Sequence, residues 1–195
     1  LQAPSIEKID LHNIPDDKKL IRKALLLASQ KADVIITSGG VSVGKADFMK
    51  EVLSEIGKIL FWKLAIKPGR PLAYGTINEA HYFGLPGNPV SAMVTFYQMV
   101  QPAIRLLMGE QGYTPPPKFK AKCTTTITKK PGRMEFQRAI LTHDQDNLAV
   151  TPTRSQGSGI LSSMSEANCF IILEMQHKTV EPGDLVDVQY MEGIV

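Results

Sequence analysis

Asp33-Val-Ile-Ile-Thr-Ser-Gly-Gly-Val-Ser-Val-Gly-Lys-Ala-Asp47 passes from a short β-branched run, through a turn carrying three glycines, to an acidic residue that opens an amphipathic stretch. The apolar run Val34 to Thr37 has the composition of a strand buried on both faces of a parallel sheet. Asp47 then starts a helix with Phe48, Val52, Leu53 and Ile56 on one side and Gly57 as its stop. Strand, glycine turn and helix in this order predict an α/β layer, with ligands beyond the carboxyl end of the strand.

Upstream, Asp16 or Asp17 caps a helix whose apolar face runs Leu20, Ala24, Leu27 and Ala28. Downstream, Ile59 to Ile66 reads as a strand, Leu72 to Tyr74 and Tyr82 to Leu85 as two more, and Asn78-Glu79 as the turn between them. A long helix from Val90 towards Met108 should kink or restart at Pro102. Pro115-Pro-Pro117 marks a linker, because three prolines continue neither a helix nor a central strand. Beyond it, alternating segments at 119–128, 134–141, 148–151, 169–173 and 185–188 predict a small antiparallel barrel or sandwich. The fold class is therefore α/β, a mostly parallel sheet flanked by helices over 1–110, followed by a small all-β domain over 118–195.

Composition narrows the function classes. The 22 basic and 19 acidic residues give too small an excess to argue for nucleic acid. No apolar run approaches the roughly 20 residues of a membrane span, and Leu1 to Ile14 lacks the basic-then-apolar pattern of a signal peptide. Cys123 and Cys169 stand far apart, outside any Cys-x-x-Cys pair, which fits a reducing cytoplasm. His12, His81, His143 and His177 are scattered and read as structural.

Four stretches can carry chemistry. Gly39, Gly40 and Gly44 allow close backbone approach, so that N–H groups converge on phosphate oxygens with Ser38 and Ser42 beside them; the plainer reading is a tight turn that favours glycine. Asp47 either caps its helix or offers hard carboxylate oxygens to Mg2+. Lys63 and Lys67, four apart, share one face if the strand continues, and Arg70 in Lys67-Pro-Gly-Arg-Pro71 adds a fork that grips tetrahedral oxyanions; the alternative is a solvated basic turn. Gly84-Leu-Pro-Gly-Asn-Pro-Val-Ser91 places Asn88 as N-cap and Pro89 at the first helical position, which serves capping or an anion equally. Arg133, after a Pro-Gly turn, and the loop Ser155-Gln-Gly-Ser-Gly159 are weaker signals.

Together with Gly132-Arg-Met-Glu-Phe-Gln-Arg138 and Gln156-Gly-Ser158, these stretches in this order closely resemble the MoeA family, the molybdopterin molybdenumtransferases. The resemblance implies insertion of molybdenum from molybdate into adenylylated molybdopterin, with release of AMP in a Mg2+-dependent reaction. It implies that Gly39, Gly40, Ser42, Gly44, Pro86, Gly87 and Asn88 hold the pterin phosphate region, and that Asp47 and Asp16 bind Mg2+. Lys67, Arg70, Pro71, Arg133 and Ser158 would form the molybdate pocket, with Asp47, Lys63 and Lys67 as catalytic groups. It further implies a cytoplasmic homodimer in contact with other enzymes of molybdenum cofactor synthesis, without nucleic acid or membrane.

Arg70 departs from the lysine common at its position in the family, keeping the charge but changing donor geometry. The family's N-terminal domains and the first strand of its α/β domain are expected before Leu1, so the sheet should show an exposed edge and the active site should be incomplete. Two rival readings are the related molybdopterin adenylyltransferase, which lacks a β domain, and a gephyrin-like scaffold that binds receptor peptides.

Overall fold

The computed structural model describes residues 6–40, 48–110, 114, 116–144 and 147–191. Helix α1 (Lys18–Ser29) begins at Asp17, whose carboxylate accepts the N–H groups of Lys19 and Leu20. Strand β1 (Val34–Ser38) and helix α2 (Phe48–Ile56) follow, and α2 buries Val52 and Leu53 completely. The buried face of α1 is Ile21 and Leu25, while Leu20 and Leu27 are 45% and 39% exposed. The expected face was thus turned by about one residue, because Leu, Ile and Ala occur on both sides of this helix and the contact with α2 decides between them.

The first sheet has the order β1-β5-β4-β2, with β2 at Gly57–Lys63, β4 at Pro71–Ile77 and β5 at Ala80–Leu85. Only β1 and β5 run parallel; β4 is antiparallel to both β5 and β2. The sheet is therefore mixed instead of mostly parallel. The cause is loop length: the two-residue turn at Asn78-Glu79, with Asn78 at φ +50°, can only reverse the chain, whereas a parallel neighbour needs a crossover of about a dozen residues. Among the described residues β1 pairs on one side only, and Ile35 alone in it is fully buried. Among the described residues β1 is thus an edge strand, and it packs on both faces as expected, Ile35 against α1 and α2 and the half-buried Val34 and Ile36 against the cluster of Leu72, Phe83, Leu85 and Ile104.

The chain does not continue as one strand from Ile59 to Ile66. β2 ends at Lys63, and Ile66–Lys67 forms a separate two-residue strand, β3, that joins the second sheet. The break is fixed by two bonds in opposite directions: the Leu64 N–H goes to Arg70 O at 2.9 Å, and Ala65 O accepts from Met134 N at 2.9 Å. Lys63 and Lys67 consequently do not share a strand face. Lys63 pairs with Pro71 in the first sheet, and Lys67 pairs with Glu135 in the second.

The helix after β5 starts as α3 (Pro89–Thr95), widens into a π-helical turn at Phe96–Val100, and continues as α4 (Gln101–Leu107). Pro102 has no N–H to donate, and the helix changes its winding just before it, where the Gln101 N–H reaches back to Phe96 O.

The second sheet contains β6 (Phe119–Cys123), β7 (Met134–Asp144), β8 (Asn147–Pro152), β9 (Cys169–Leu173) and β10 (Leu185–Tyr190), with a short helix α5 (Ser162–Glu166) between β8 and β9. The pairings β7-β8-β6-β10-β9 return to β7, so the five strands close a barrel. Ala139, Leu141, Val150, Cys169, Ile171, Leu173, Val186 and Val188 fill its core. Closure leaves these strands no free edge of the kind that invites aggregation. The opposite face of β7 and β9, with Phe136, Phe170 and Ile172, packs on Val90 and Val94 of α3 and on Ile66. That apolar seam joins the barrel to the α/β layer.

Gly75 lies opposite Ile59, where the β2 to β4 register shifts. A Cβ there would collide with Lys58 O and approach the Ile59 Cα to 2.7 Å. Gly75→Ala should cost roughly 1–3 kcal/mol of stability in urea denaturation. A loss within the ~0.5 kcal/mol usual for surface changes would show that the two strands are free to separate there.

Candidate oxyanion and phosphate site

The glycine turn and the Pro86-Gly-Asn88 loop meet at the carboxyl ends of the parallel pair. The Gly39 N–H donates to Leu85 O at 3.1 Å, extending the β1 to β5 ladder by one bond. A Cβ on Gly87 would stand 3.5 Å from the Gly39 Cα, so the two loops are in backbone contact. Gly39 and Gly40 have φ of +92° and +71°, in the region that favours glycine. Pro86 is buried, Asn88 is half-buried, and the Asn88 side chain accepts from the Ser91 N–H at 3.3 Å as the cap of α3. Ser42, Gly44 and Asp47 lie outside the described residues.

Next to this floor, the Lys67-Pro-Gly-Arg-Pro71 turn leans on α3. Gly69 has φ +103°, and a Cβ there would run into the Thr95 hydroxyl, with Ser91 O at 3.5 Å. Thr95 in turn donates to Ser91 O at 2.5 Å. The Asn88-capped helix is therefore the surface on which both the glycine floor and the basic turn are set. The Lys67–Pro68 peptide is cis. Arg70 is exposed, Pro71 is half-buried, and Lys63 is exposed beside Pro71.

The barrel presents the remaining cation. Pairing of Ile66 with Met134 and of Lys67 with Glu135 carries β7 alongside the basic turn and puts Arg133 immediately before that pairing. Gly132, at φ +109°, fixes the approach by donating its N–H to Met175 O at 2.9 Å. Behind this turn the ammonium of Lys129, 4% exposed, is bonded by three carbonyls, Lys130 O, Met175 O and His177 O, at 3.2 to 3.4 Å. Arg133 is exposed. Neither it, Arg70 nor Lys63 forms an ion pair among the described residues.

Lys67 differs. Its ammonium lies 3.2 and 3.3 Å from the two oxygens of Glu135, which is 4% exposed and also accepts from Gln137 Nε2 at 3.1 Å. Glu135 and Gln137 lie within the stretch Gly132–Arg138 quoted above, where they were given no role of their own. The available signal was their alternation: they occupy the inward positions of a strand whose next inward residues, Ala139 and Leu141, are apolar, and a charge on such a face needs a partner.

Ser158 is exposed on the Ser155–Gly159 loop. That loop is tied to Arg138, about 13 Å along β7 from Met134 at the usual rise of a strand. The residues expected to form a molybdate pocket are therefore divided between the Lys67–Pro71 turn with Arg133 at the start of β7, and a separate loop carrying Ser158. Asp16 is exposed ahead of α1, and among the described residues no group of three His, Cys, Asp or Glu side chains could hold a metal ion. The described residues alone thus do not make a Mg2+ site. Both cysteines are free and buried, and burial pushes the Cys169 thiol up to about 12, which removes it as a nucleophile near neutral pH.

An open cleft of about 1400 Å³ runs along the unpaired side of β1, lined by Leu25, Ala28, Ile35, Ile36 and Ile104 and reaching Gly39 and Gly40 at one end. Its walls are mainly aliphatic, as expected beside a sheet edge. No helix is long and apolar enough to cross a membrane among the described residues.

Comparison with known proteins identifies the family of the chain. Residues 1–106 match the family described as "Probable molybdopterin binding domain", and 120–191 match "MoeA C-terminal region (domain IV)". A molybdopterin molybdenumtransferase of Haemophilus influenzae is 46% identical over 190 residues, covering 97% of this chain and 47% of that protein. Gephyrin of Dictyostelium discoideum is 36% identical over 89% of this chain and 27% of its own length. The solved molybdopterin biosynthesis MoeA protein of Pyrococcus horikosii superposes with a TM-score of 0.74 at 28% identity, covering 91% of this chain and 42% of that one. The chain thus spans about half or less of the length of these relatives. With both family regions matched in order and the mixed sheet and barrel found among solved relatives, the chain belongs to the MoeA family.

Proposed function

We propose that this chain takes part in molybdenum cofactor biosynthesis by inserting molybdenum from molybdate into adenylylated molybdopterin, releasing AMP. The observation that supports the reading is the β3 to β7 pairing, which brings the strand leading into the Lys67–Pro71 turn alongside the start of β7, where Arg133 immediately precedes Met134; Lys67, Arg70 and Arg133 would there hold a tetrahedral oxyanion. The backbone of Gly39, Gly40, Pro86, Gly87 and Asn88, with Ser42 and Gly44, would hold the phosphate region of the pterin. Lys63 would offset charge on the diphosphate, and Lys67 would stabilise negative charge as the phosphoryl link breaks. Mg2+ would be held by Asp47 and Asp16, lowering the barrier by neutralising the leaving phosphate. The same reading includes a cytoplasmic location, a homodimer, and contact with other enzymes of cofactor synthesis.

The adenylyltransferase alternative is disfavoured by the barrel, which supplies Arg133 to the proposed pocket. Similarity to gephyrin keeps a scaffold role as the second reading. Incubation of the chain with adenylylated molybdopterin, molybdate and Mg2+ should yield AMP in proportion to molybdate. Pyrophosphate formed from ATP and molybdopterin would instead indicate adenylyl transfer, and binding of receptor peptides without either product would favour the scaffold.

Within this reading Lys67→Ala and Arg133→Ala should each lower molybdate-dependent AMP release at least about tenfold, as expected for loss of one charge-assisted contact. The exposed His143 serves as control, and equal losses in His143→Ala would undo the assignment.

Lys67→Ala also strands the buried Glu135 carboxylate. With Lys67 half exposed and Gln137 still donating, the stability loss should be about 1–2 kcal/mol. In the Lys67→Ala/Glu135→Gln double variant, thermal stability should recover while AMP release does not. Recovery of both would mean that Lys67 acts only as a structural partner.

A further inference from the structure

Glu135 carries a charge where packing does not call for one. It lies on the inner face of β7, which continues with Ala139 and Leu141, and stands opposite the fully buried Leu173 of β9. Among the described residues its carboxylate meets the Lys67 ammonium with both oxygens and Gln137 Nε2 with one of them. Desolvating two charges often costs more than their mutual attraction supplies, so a buried ion pair is by itself a weak source of stability. The Lys67 side chain, 48% exposed, is open to water without it. A glutamine at 135 could still accept from the ammonium, and the Gln137 amide could turn over to accept from that glutamine, with no charge buried on β7.

The carboxylate acts on Lys67 in two ways. An ammonium has three N–H groups. The two oxygens of Glu135 take up its barrel side, which leaves at least one N–H for the exposed side. The direction of that donor is therefore set by a residue fixed inside the barrel instead of by the flexible stem of the lysine. The second effect is electrostatic. In the proposed pocket the three cations Lys67, Arg70 and Arg133, less the one carboxylate of Glu135, leave a net charge of +2. Buried among apolar neighbours, the Glu135 charge is poorly screened and acts on any anion held by Lys67.

We infer that Glu135 is a positioning and charge-setting residue: it aims the free N–H of Lys67 and lowers the charge of the pocket to match a dianion, so that the ligand is held without being trapped. The inference rests on the proposed function and deepens it. Glu135 acts through Lys67 and through its field, and does not touch the ligand.

The test compares molybdate with perrhenate, tetrahedral oxyanions of nearly equal size that carry two charges and one, each titrated calorimetrically into the chain and its variants. Glu135→Gln, which keeps an acceptor for Lys67 but removes the charge, should bind molybdate about tenfold and perrhenate about threefold more tightly, because Coulomb energy scales with ligand charge. Glu135→Asp, which keeps the charge but draws the acceptor back by one methylene, should weaken both anions alike, by about threefold. Should Glu135→Gln fail to fold, Glu135→Met, of similar volume, tests the sign of the charge effect. A purely structural role would give no tighter binding. Unchanged or weaker molybdate binding in folded Glu135→Gln, or equal gains for both anions, would overturn the charge-setting role and leave the oxyanion reading intact. Unchanged binding in Glu135→Asp would overturn the aiming of Lys67. Absence of saturable molybdate binding to the unaltered chain would overturn both readings.

Discussion

Two residues of strand join the halves of this protein. Ile66 and Lys67 leave the sheet to which their neighbours belong and pair in parallel with Met134 and Glu135 of the barrel. Around this crossing the two layers bury a shared apolar seam of Ile66, Val90, Val94, Phe136 and Ile172, each fully buried side chain contributing on the order of 1.5–3 kcal/mol. On the same strand the Lys67 ammonium meets the buried Glu135 carboxylate. The basic turn that follows is bound to the barrel at Lys67 and pressed on α3 at Gly69. The backbone that carries Lys67 and Arg70 is therefore held on both sides, which would lower the entropy lost on ordering the turn around a ligand.

Much of the fold was legible because its signals are local. β-branched runs, glycine turns, the Asn78-Glu79 reversal, the Asn88 cap and the five alternating segments after Pro117 each state their own conformation. What was not legible depends on partners distant in sequence. The chain from Ile59 to Ile66 has uniform strand character, and only the bonds of Leu64 to Arg70 and of Ala65 to Met134 divide it between two sheets. Similarly α1 carries apolar residues on two sides, and contact with α2 selects Ile21 and Leu25.

The candidate site divides along the same line. The glycines at 39, 40 and 87 and the turn at 67–71 were readable because their residue types are needed for backbone conformation or close approach. The groups that orient them were not. Glu135 holds Lys67, Lys129 fixes the turn leading to Arg133, and Arg138 with Gln156 shapes the loop of Ser158. Alternation along β7 marks Glu135 as an inward charge, but its partner Lys67 is 68 positions away, and the carbonyls that satisfy Lys129 and Arg138 have no signature in sequence.

The proposed oxyanion pocket lies where the Lys67–Pro71 turn meets the start of β7. The most direct measurement is the anomalous scattering of molybdenum from crystals of the chain soaked in molybdate with excess sulfate. A pocket there gives a peak within hydrogen-bonding reach of Lys67 and Arg133. Molybdenum found only along the β1 cleft would contradict it.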